Sequence, residues 1–570
     1  MDEKWVVAAK RADFNRIGQK FGIDPVIARI IRNRDVVDDE DIRLYLEGEL
    51  RDLASPWLMK DMEKAAAIII EAIQQKQRVR IVGDYDIDGV CATAVLYKGF
   101  LRAGLNADTY IPHRVTDGYG LNAHVVEQAG KDGIDLLVTC DNGIAAREEI
   151  RLAKELGMTV IITDHHNIPY ETKGDKRIPV IPPADAVVNP KQEDCGYPFE
   201  ELCGAAVAYK LVTALYERCG IPGEELEELM VLAAIATVGD VMDLQGENRI
   251  LVKEGLKRLP DTRNPGLQAL MRANKLDRPV SAYHIGFVLG PCINASGRLD
   301  TAARSLNLLL EKDEPKAAVL AGDLVHMNES RKSMTALQVE EAANQIENSS
   351  LKNDPVLVVY LPQCHESLAG IVAGRIRERY HRPVFILTKG EQGVKGSGRS
   401  IEEYSMYDEL TACRELLVKY GGHPMAAGLS MNPEHMETLR IQLNEQCCLK
   451  PEEMIPKFVI DVPMPIGYVT EPLVEQMELL EPFGKGNPRP LFAQKNIQVS
   501  RFSVFGKNKN VAKMLLTDET GCRQEGIYFG DMERITETLS KKAAVSILYY
   551  PRINEYQGRR SLQIVIQSVQ

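Results

Sequence analysis

Arg80-Ile81-Val82-Gly83-Asp84-Tyr85-Asp86-Ile87-Asp88-Gly89-Val90 decides the fold. A β-rich apolar run, Val79 to Val82, stops at a glycine, and three carboxylates follow at alternate positions before Asp88-Gly89 turns the chain into a helical pattern, Val90 to Lys98. Carboxylates at the carboxyl end of a buried strand sit in the crevice where open α/β sheets bind ligands. Three negative charges this close repel one another unless a cation neutralises them. An Asx-rich turn with solvated aspartates uses the same residue types. A calcium loop also opens D-x-D-x-D-G, but it needs a glutamate at its twelfth position and a helix before it. This chain has Val95 there, and a strand precedes the loop. A divalent-metal site in an α/β domain is the better reading.

The pattern continues on both sides of this stretch. Helix Glu63–Lys76 is predicted before strand Val79–Val82, helix Val90–Ala103 before strand Ala107–Ile111, helix Ala123–Gly130 before strand Leu136–Cys140, and helix Ala145–Leu156 before strand Thr159–Thr163. Such alternation predicts βαβ units and a parallel sheet. Candidate chemistry recurs where these runs end: Leu136–Cys140 leads into Asp141-Asn142-Gly143, Val160–Thr163 into Asp164-His165-His166, and the helical Glu224–Thr237 into Val238-Gly239-Asp240-Val241. A lone Asp after a strand also serves as an N-cap, so Asp141 or Asp240 alone decides nothing. Together, four such placements are expected to gather at one edge of one sheet. A mixed His and Asp set with no thiolate favours Mn²⁺ or Mg²⁺ over structural zinc.

Composition sets the frame. A chain of 570 residues calls for two to four domains, and 45% hydrophobic content with interspersed charge is that of a soluble globular protein. No apolar run is long enough to span a bilayer, and Met1-Asp2-Glu3-Lys4 lacks a signal-peptide pattern. The eleven cysteines are scattered without a C-x-x-C pair, which suggests neither a zinc ribbon nor a disulfide framework. Adjacent Cys447-Cys448 read as plain helix residues. A cytoplasmic location fits. A net charge of −12 argues against blanket nucleic-acid binding but is compatible with a local basic groove.

D-x-D-x-D-G, T-C-D-N-G, D-H-H and G-D, in that order, resemble the DHH phosphoesterase superfamily. Ile111-Pro112-His113-Arg114 with Gly118-Tyr119-Gly120-Leu121, Asn294-Ala295-Ser296-Gly297-Arg298-Leu299, Gly396-Ser397-Gly398-Arg399-Ser400, Gly421-Gly422-His423-Pro424 and Pro482-Phe483-Gly484-Lys485-Gly486-Asn487-Pro488 narrow the resemblance to its RecJ family of single-strand-specific exonucleases. Three departures stand out. Val82 occupies a position where some members carry a metal-binding His; Asp243, expected near the metals, stands where proline is usual; and Cys364-His365 replaces a Trp-His pair.

The resemblance implies the following layout: residues 1–60 an N-terminal helical segment, 61–260 a parallel-sheet DHH catalytic domain, 261–350 a helical connector with a long helix, 351–452 a second α/β domain of DHHA1 type, and 453–570 an OB-fold β-barrel. It further implies two ions, Mn²⁺ or Mg²⁺, that share Asp141, with Asp84, Asp86, Asp88, His165 and Asp240 completing the ligands. His166 is expected on the scissile phosphate, Arg114 and Arg298 on backbone charge, and Ser397, Arg399 and His423 on the strand, the first two at its 5′-terminal phosphate. The glycine-flanked 396–400 stretch reads equally as a phosphate loop or an ordinary flexible turn, and the resemblance favours the former. In the tail, strands are predicted at Asn496–Phe505, Val511–Leu516, Gln524–Phe529, Ala543–Tyr550 and Ser561–Val569. Lys495 to Lys513 holds five basic residues and no acid, with Phe502 and Phe505 interleaved. Lys495, Arg501 and Lys507 therefore become candidates for a single-strand groove, the alternative being a solvated strand face over core phenylalanines.

The expected activity is 5′-to-3′ hydrolysis of single-stranded DNA to mononucleotides by a monomer, in repair and recombination, beside a helicase or single-strand-binding protein and away from membranes. Rival readings are a DHH enzyme acting on pyrophosphate, cyclic dinucleotides or short oligonucleotides, and a non-catalytic replication scaffold. The barrel-like tail argues against the first, and the intact carboxylates and histidines against the second.

Overall fold

The computed structural model describes residues 3–114, 116–118, 120–174, 176–276, 279–390, 393–506, 509–556 and 558–570. The chain divides into two compact units, one of residues 54–240 and 255–456 and the other of 3–53, 241–254 and 457–570.

The first unit begins with a five-stranded parallel sheet. Its strands are Val79–Val82 (β1), Ala107–Tyr110 (β2), Leu136–Cys140 (β3), Thr159–Thr163 (β4) and Ala186–Val188 (β5), in the order β2-β1-β3-β4-β5. β3 is buried at every position, and strands covered on both faces read as continuous apolar runs rather than alternation. That is why β1, β3 and β4 are legible in the sequence, whereas β5, three residues long, is not. Helix Ile87–Arg102 (α1) starts three residues before the Val90 expected from periodicity, because the Asp86 carboxylate accepts from the backbone N–H groups of Asp88 and Gly89 and caps it. Helices Gly204–Cys219 (α2) and Glu227–Gly239 (α3) are buried along most of their lengths. Asp240, expected at the sheet edge, instead follows the C-terminus of α3, which runs two residues past the predicted end.

A short helical turn and a π-turn, Ile285–Leu289, lead into helix Gly290–Leu299 (α4), and the 34-residue helix Glu314–Glu347 (α5) follows. Leu357–Tyr360 (β6), Val384–Gly390 (β7), Gly393–Arg399 (β8), Leu417–His423 (β9) and Ala426–Met431 (β10) form the second sheet, in the order β9-β10-β8-β7-β6, with helix Glu366–Tyr380 (α6) packed on it. The 396–400 stretch, expected as a glycine-flanked loop, is thus mostly strand. A Cβ on Gly396 would meet Leu387 and Leu429 at 2.6 and 2.9 Å, and one on Gly398 would meet Met406 and Phe385 at 2.5 and 2.7 Å. The glycines here admit core side chains rather than a turn. His365 caps α6 by accepting from the Ser367 N–H, which gives it a structural role. Cys447 and Cys448, expected in a helix, lie beyond the end of the helix Met436–Glu445, and all eleven cysteines are free thiols.

In the second unit, Val462–Pro463 (β11), Phe492–Phe505 (β12), Val511–Thr517 (β13), Arg523–Phe529 (β14), Val545–Tyr556 (β15) and Arg559–Val569 (β16) run in the order β11-β12-β13-β14-β16-β15, and β12 also pairs with β15, closing a barrel. Its core does not stop at the barrel. Ile27, Ile30, Ile31 and Ile42 from the N-terminal helices pack in one cluster with Phe492, Ile547, Tyr549 and Ile566. The strand Lys4–Val7 pairs in parallel with Lys457–Ile460. Arg34 grips Asp461 through two hydrogen bonds of 2.6 and 3.1 Å, with both side chains buried. Buried Arg249 donates to the backbone carbonyls of Tyr45, Leu480 and Leu479. Asp243, expected near the metals, belongs to this unit and pairs with Lys485 at 3.2 Å. Among the described residues no helix is long and apolar enough to cross a membrane.

Candidate metal centre and phosphate cavity

The ends of β1, β3 and β4 and the C-terminus of α3 bring the acids and histidines together. Side-chain ligand atoms fall into three groups, each within 4.8 Å: Asp84, Asp86 and Asp141; Asp141, His165 and His166; and Asp88, His165 and Asp240. Asp141 belongs to two of them. His165 Nε2 lies 3.1 Å from Asp141 Oδ1, 3.5 Å from Asp88 Oδ2 and 3.8 Å from Asp240 Oδ2. All six proposed metal ligands are therefore neighbours.

The backbone is built to hold them. Asp141 adopts φ 60 directly after β3, a left-handed conformation rare outside glycine and held only where the surroundings impose it. Asn142 beside it donates to the carbonyls of Val82 and Cys140 at 3.1 and 2.9 Å and pins that turn to β1. Gly204, at the start of α2, seats its backbone against Asp141: a Cβ there would lie 2.6 Å from the Asp141 Cβ. The amides of Gly204 and Ala205 donate to the Asp88 carboxylate at 2.6 and 2.7 Å, so a helix N-terminus partly neutralises this acid.

Electrostatics at the cluster is strained. Burial and the neighbouring Asp86 charge push Asp84 up to about 8. Burial, then the charges of Asp88, Asp86, Asp84 and Asp240, push Asp141 well up from the usual carboxylate range. Asp84 Oδ1 and His165 Nδ1 are buried without a hydrogen-bond partner among the described residues. Polar atoms left so cost free energy unless something binds them. A cation meets both demands, and the oxygen and imidazole donors suit Mn²⁺ or Mg²⁺; the residues fit such ions.

One functional side chain escapes the candidate set. Asp164 is buried and accepts from the N–H groups of Ile144, His165 and His166 and from His166 Nδ1, the last at 2.7 Å. Although burial opposes it, the hydrogen bond from His166 draws Asp164 below the usual range, and the same bond carries His166 up to about 9 against its own burial. Asp164 is a positioning residue for the His166 ring. The D-H-H triplet carries its signal in the sequence, but an acid beside two histidines is not by itself distinguishable from a ligand.

Arg114 stacks over the Tyr85 ring, 3.9 Å from its centroid, and with Ser367, Lys395, Ser397, Lys419 and Tyr420 lines a cavity of about 400 Å³. Arg298 donates to the Ser367 carbonyl at 2.8 Å. Burial, reinforced by the charges of Arg114 and Arg331, brings it down to about 10. Arg399 donates to Ser397 Oγ and the Gly398 carbonyl at 3.5 and 2.7 Å. Gly370 of α6 leaves them room, since a Cβ there would meet Arg399 Nη2 at 2.8 Å and Ser397 Oγ at 2.9 Å. Of the three residues expected on the strand, Ser397 lines this cavity, whereas Arg399 reaches it only through Ser397 and His423 is exposed at the end of β9 and does not line it; Lys395 and Lys419, which do, stand in no motif that singles them out. In the barrel, Lys495 and Arg501 are exposed on β12, Phe502 packs toward the core and Phe505 is exposed. Lys507 lies outside the described residues.

Three family descriptions match the chain: "DHH family, N-terminal domain" at 78–237, "DHHA1 domain" at 353–448 and "RecJ OB domain" at 460–568. The single-stranded-DNA-specific exonuclease RecJ of Bacillus subtilis is 35% identical over 96% of this chain and 68% of its own length. The protein of the same name from Escherichia coli is 33% identical over 96% of both chains. The crystal structure of RecJ in complex with Mn²⁺ from Thermus thermophilus superposes with a TM-score of 0.84 at 28% identity, covering all of this chain and 79% of that one. With such identity over nearly its whole length, the chain belongs to the RecJ family.

Proposed function

We propose that this protein hydrolyses single-stranded DNA from the 5′ end to mononucleotides, using two Mn²⁺ or Mg²⁺ ions. The observation that carries the proposal is the buried cluster of Asp84, Asp86, Asp88, Asp141, His165 and Asp240, with Asp141 common to two ligand groups. When bound, the ions supply Lewis-acid stabilisation of charge on the attacked phosphate and lower the pKa of the water nucleophile.

The remaining work falls to the chain's own side chains. Asp84, Asp86 and Asp141 would hold one ion, and Asp88, His165 and Asp240 the other, with Asp141 reaching both. His166, fixed by its Nδ1–H bond to Asp164, would direct its other ring nitrogen at the scissile phosphate. Arg114 and Arg298 would neutralise the backbone on either side of it. Polarity cannot come from the metals, because the phosphodiester chemistry is the same in both strand directions. It would come from the cavity lined by Ser397, with Arg399 hydrogen-bonded to Ser397 behind it, where a terminal phosphate, with more charge and more acceptor oxygens than an internal diester, gains most from a guanidinium. Lys495 and Arg501 on β12 would hold the strand farther along. On this reading residues 61–260 do the chemistry, 351–452 read the end and 453–570 hold the strand, in a cytoplasmic monomer that takes its substrate from a helicase or single-strand-binding protein.

The test is a substrate panel with Mn²⁺: end-labelled single-stranded DNA, the same sequence as blunt duplex, a cyclic dinucleotide and pyrophosphate. Mononucleotide release from the single strand alone, starting at the 5′ label and stopped by EDTA, is expected. Turnover of pyrophosphate or the cyclic dinucleotide with the single strand left intact would overturn the reading.

A further inference from the structure

One stretch of the first unit belongs to no core. The antiparallel strands Tyr170–Lys173 and Lys176–Pro179 form a hairpin paired only with itself, and all eight residues are exposed. A lone two-stranded hairpin is at best marginally stable in water, so this one depends on its anchors. At its base the Val180 N–H donates to the Pro169 carbonyl at 2.7 Å, and Ile168, Ile181 and Ala184 on either side belong to the apolar core of the parallel sheet. The Arg147 guanidinium donates to Glu171 at 3.2 Å, and the Tyr170 hydroxyl donates to Glu193, also at 3.2 Å.

These anchors fix where the hairpin rises. Arg147 opens the helix Arg147–Glu155 after β3 and Asp141, Glu193 follows β5, and the hairpin itself follows β4 and Asp164-His165-His166. All three lie past the carboxyl ends of strands in one parallel sheet, the edge that carries the metal ligands. Lys173 is seven residues beyond His166, so at most about 25 Å of extended chain separates them. What the hairpin presents there is positive charge. Lys173 and Lys176 stand directly opposite each other in the ladder, a like-charge pairing that destabilises a sheet. Glu171 is taken by Arg147, and among the described residues Lys173, Lys176 and Arg177 have no carboxylate partner; Asp175, at the turn, lies outside the described residues. The Arg177 guanidinium covers the Tyr170 ring, 4.9 Å from its centroid, so the hairpin offers no open ring to an unpaired base.

We infer that this hairpin grips the phosphate backbone of a DNA duplex adjoining the single strand held at the metal centre. The inference rests on the single-strand reading above and adds a substrate class to it, the duplex with a single-stranded 5′ tail. Single strands are held in a groove with stacking rings, and a protruding ribbon whose one ring is covered supplies neither. A duplex carries one negative charge per about 1.7 Å of its axis, and its major groove admits a two-stranded β-ribbon. Phosphate contacts by lysine and arginine position a duplex without reading its sequence. Within about 25 Å of His166, the hairpin reaches the first helical turn of the duplex, about 34 Å long, as the tail shortens.

The test compares a duplex bearing a single-stranded 5′ tail with the same tail alone, using the full-length protein in EDTA so that nothing is hydrolysed. The wild type should bind the tailed duplex more tightly, by a margin that shrinks as salt rises. Lys173→Glu/Lys176→Glu/Arg177→Glu should erase that margin and leave affinity for the tail alone unchanged. On the tailed duplex its salt dependence should flatten by about 0.9 log–log units for each phosphate no longer held, or about 2.7 for all three. Lys173→Arg/Lys176→Arg should keep the margin. The readout is a ratio of affinities, so loss of folded protein cancels, and thermal unfolding should not move because the substituted side chains are exposed. Equal weakening on both substrates would assign the hairpin to the single strand and overturn the duplex contact. A wild type without preference for the tailed duplex, or a triple variant that keeps the preference, would overturn it too. A wild type that neither binds the single strand nor cuts it in Mn²⁺ would overturn the nuclease reading itself.

Discussion

At the scale of residues, the candidate site gathers side chains whose environments oppose their own charge. Asp141 is strained twice, in a left-handed backbone and in a carboxylate raised by burial and by like charges. Such strain persists only where surrounding structure enforces it, here by Asn142 and the start of α2. The six ligand-type residues stand in motifs that the sequence displays after apolar runs, and the family resemblance is what assembles them into one ligand set. Asp164 is not separable from them there, since its role lies in backbone amides that no spacing reveals. His423 shows the reverse failure: its glycine-rich setting suggests phosphate binding, yet the side chain stands outside the cavity. Arg399 supplies the sharpest test at this scale. Arg399→Ala should erase most of the preference for 5′-phosphorylated over 5′-hydroxyl oligonucleotides, while Arg114→Ala should slow both alike. The readout is a ratio of rates on two substrates that differ only in one phosphate, so any loss of folded protein cancels. An unchanged ratio in Arg399→Ala would move end recognition elsewhere.

At the scale of elements, α2 and β8 carry the lesson. The N-terminus of α2 can approach Asp141 and donate to Asp88 only because residue 204 is glycine. Gly204→Ala is expected to push the helix start away, weakening Mn²⁺ binding by about tenfold or more with far-UV circular dichroism unchanged; wild-type affinity in a metal titration would contradict the account. β8 reads as a loop in the sequence because Gly-Ser-Gly is a turn signal, but side chains from the neighbouring strands occupy the space the glycines leave. Local sequence cannot distinguish these uses of glycine, since the difference lies in residues far along the chain. The strands β1, β3 and β4 are legible for the opposite reason: strands buried on both faces leave uninterrupted apolar runs.

At the scale of the whole molecule, the second unit draws on three separated stretches of chain, and this is the least legible feature. Helical periodicity in residues 14–47 reports an apolar face but not what covers it. The Arg34–Asp461 pair joins the first and last of these stretches. Removing one partner leaves a buried charge uncompensated, so Asp461→Ala should destabilise this unit by roughly 3–5 kcal/mol, measured by urea denaturation; a change below about 1 kcal/mol would show the pair to be dispensable. For the same reason, deleting the barrel would strip the cover from Ile27 and Ile30, and its contribution to strand binding is better tested by Lys495→Glu/Arg501→Glu. That variant should weaken binding to long oligonucleotides and flatten the salt dependence by about one log–log unit for each phosphate no longer held, leaving turnover of saturating short strands near wild type. An unchanged salt slope would remove β12 from the DNA path.

The claim that joins these scales is that the acids at the ends of β1 and β3 are a hydrolytic metal centre rather than a decayed one. The measurement that tests it most directly is single-strand hydrolysis by Asp141→Ala in saturating Mn²⁺, with oligonucleotide affinity measured on the same preparation. Loss of the shared ligand should lower the rate at least about a thousandfold, about 4 kcal/mol of transition-state stabilisation, with affinity kept within a few-fold because binding rests on the arginines and the barrel. Retention of a tenth or more of the wild-type rate would contradict the account.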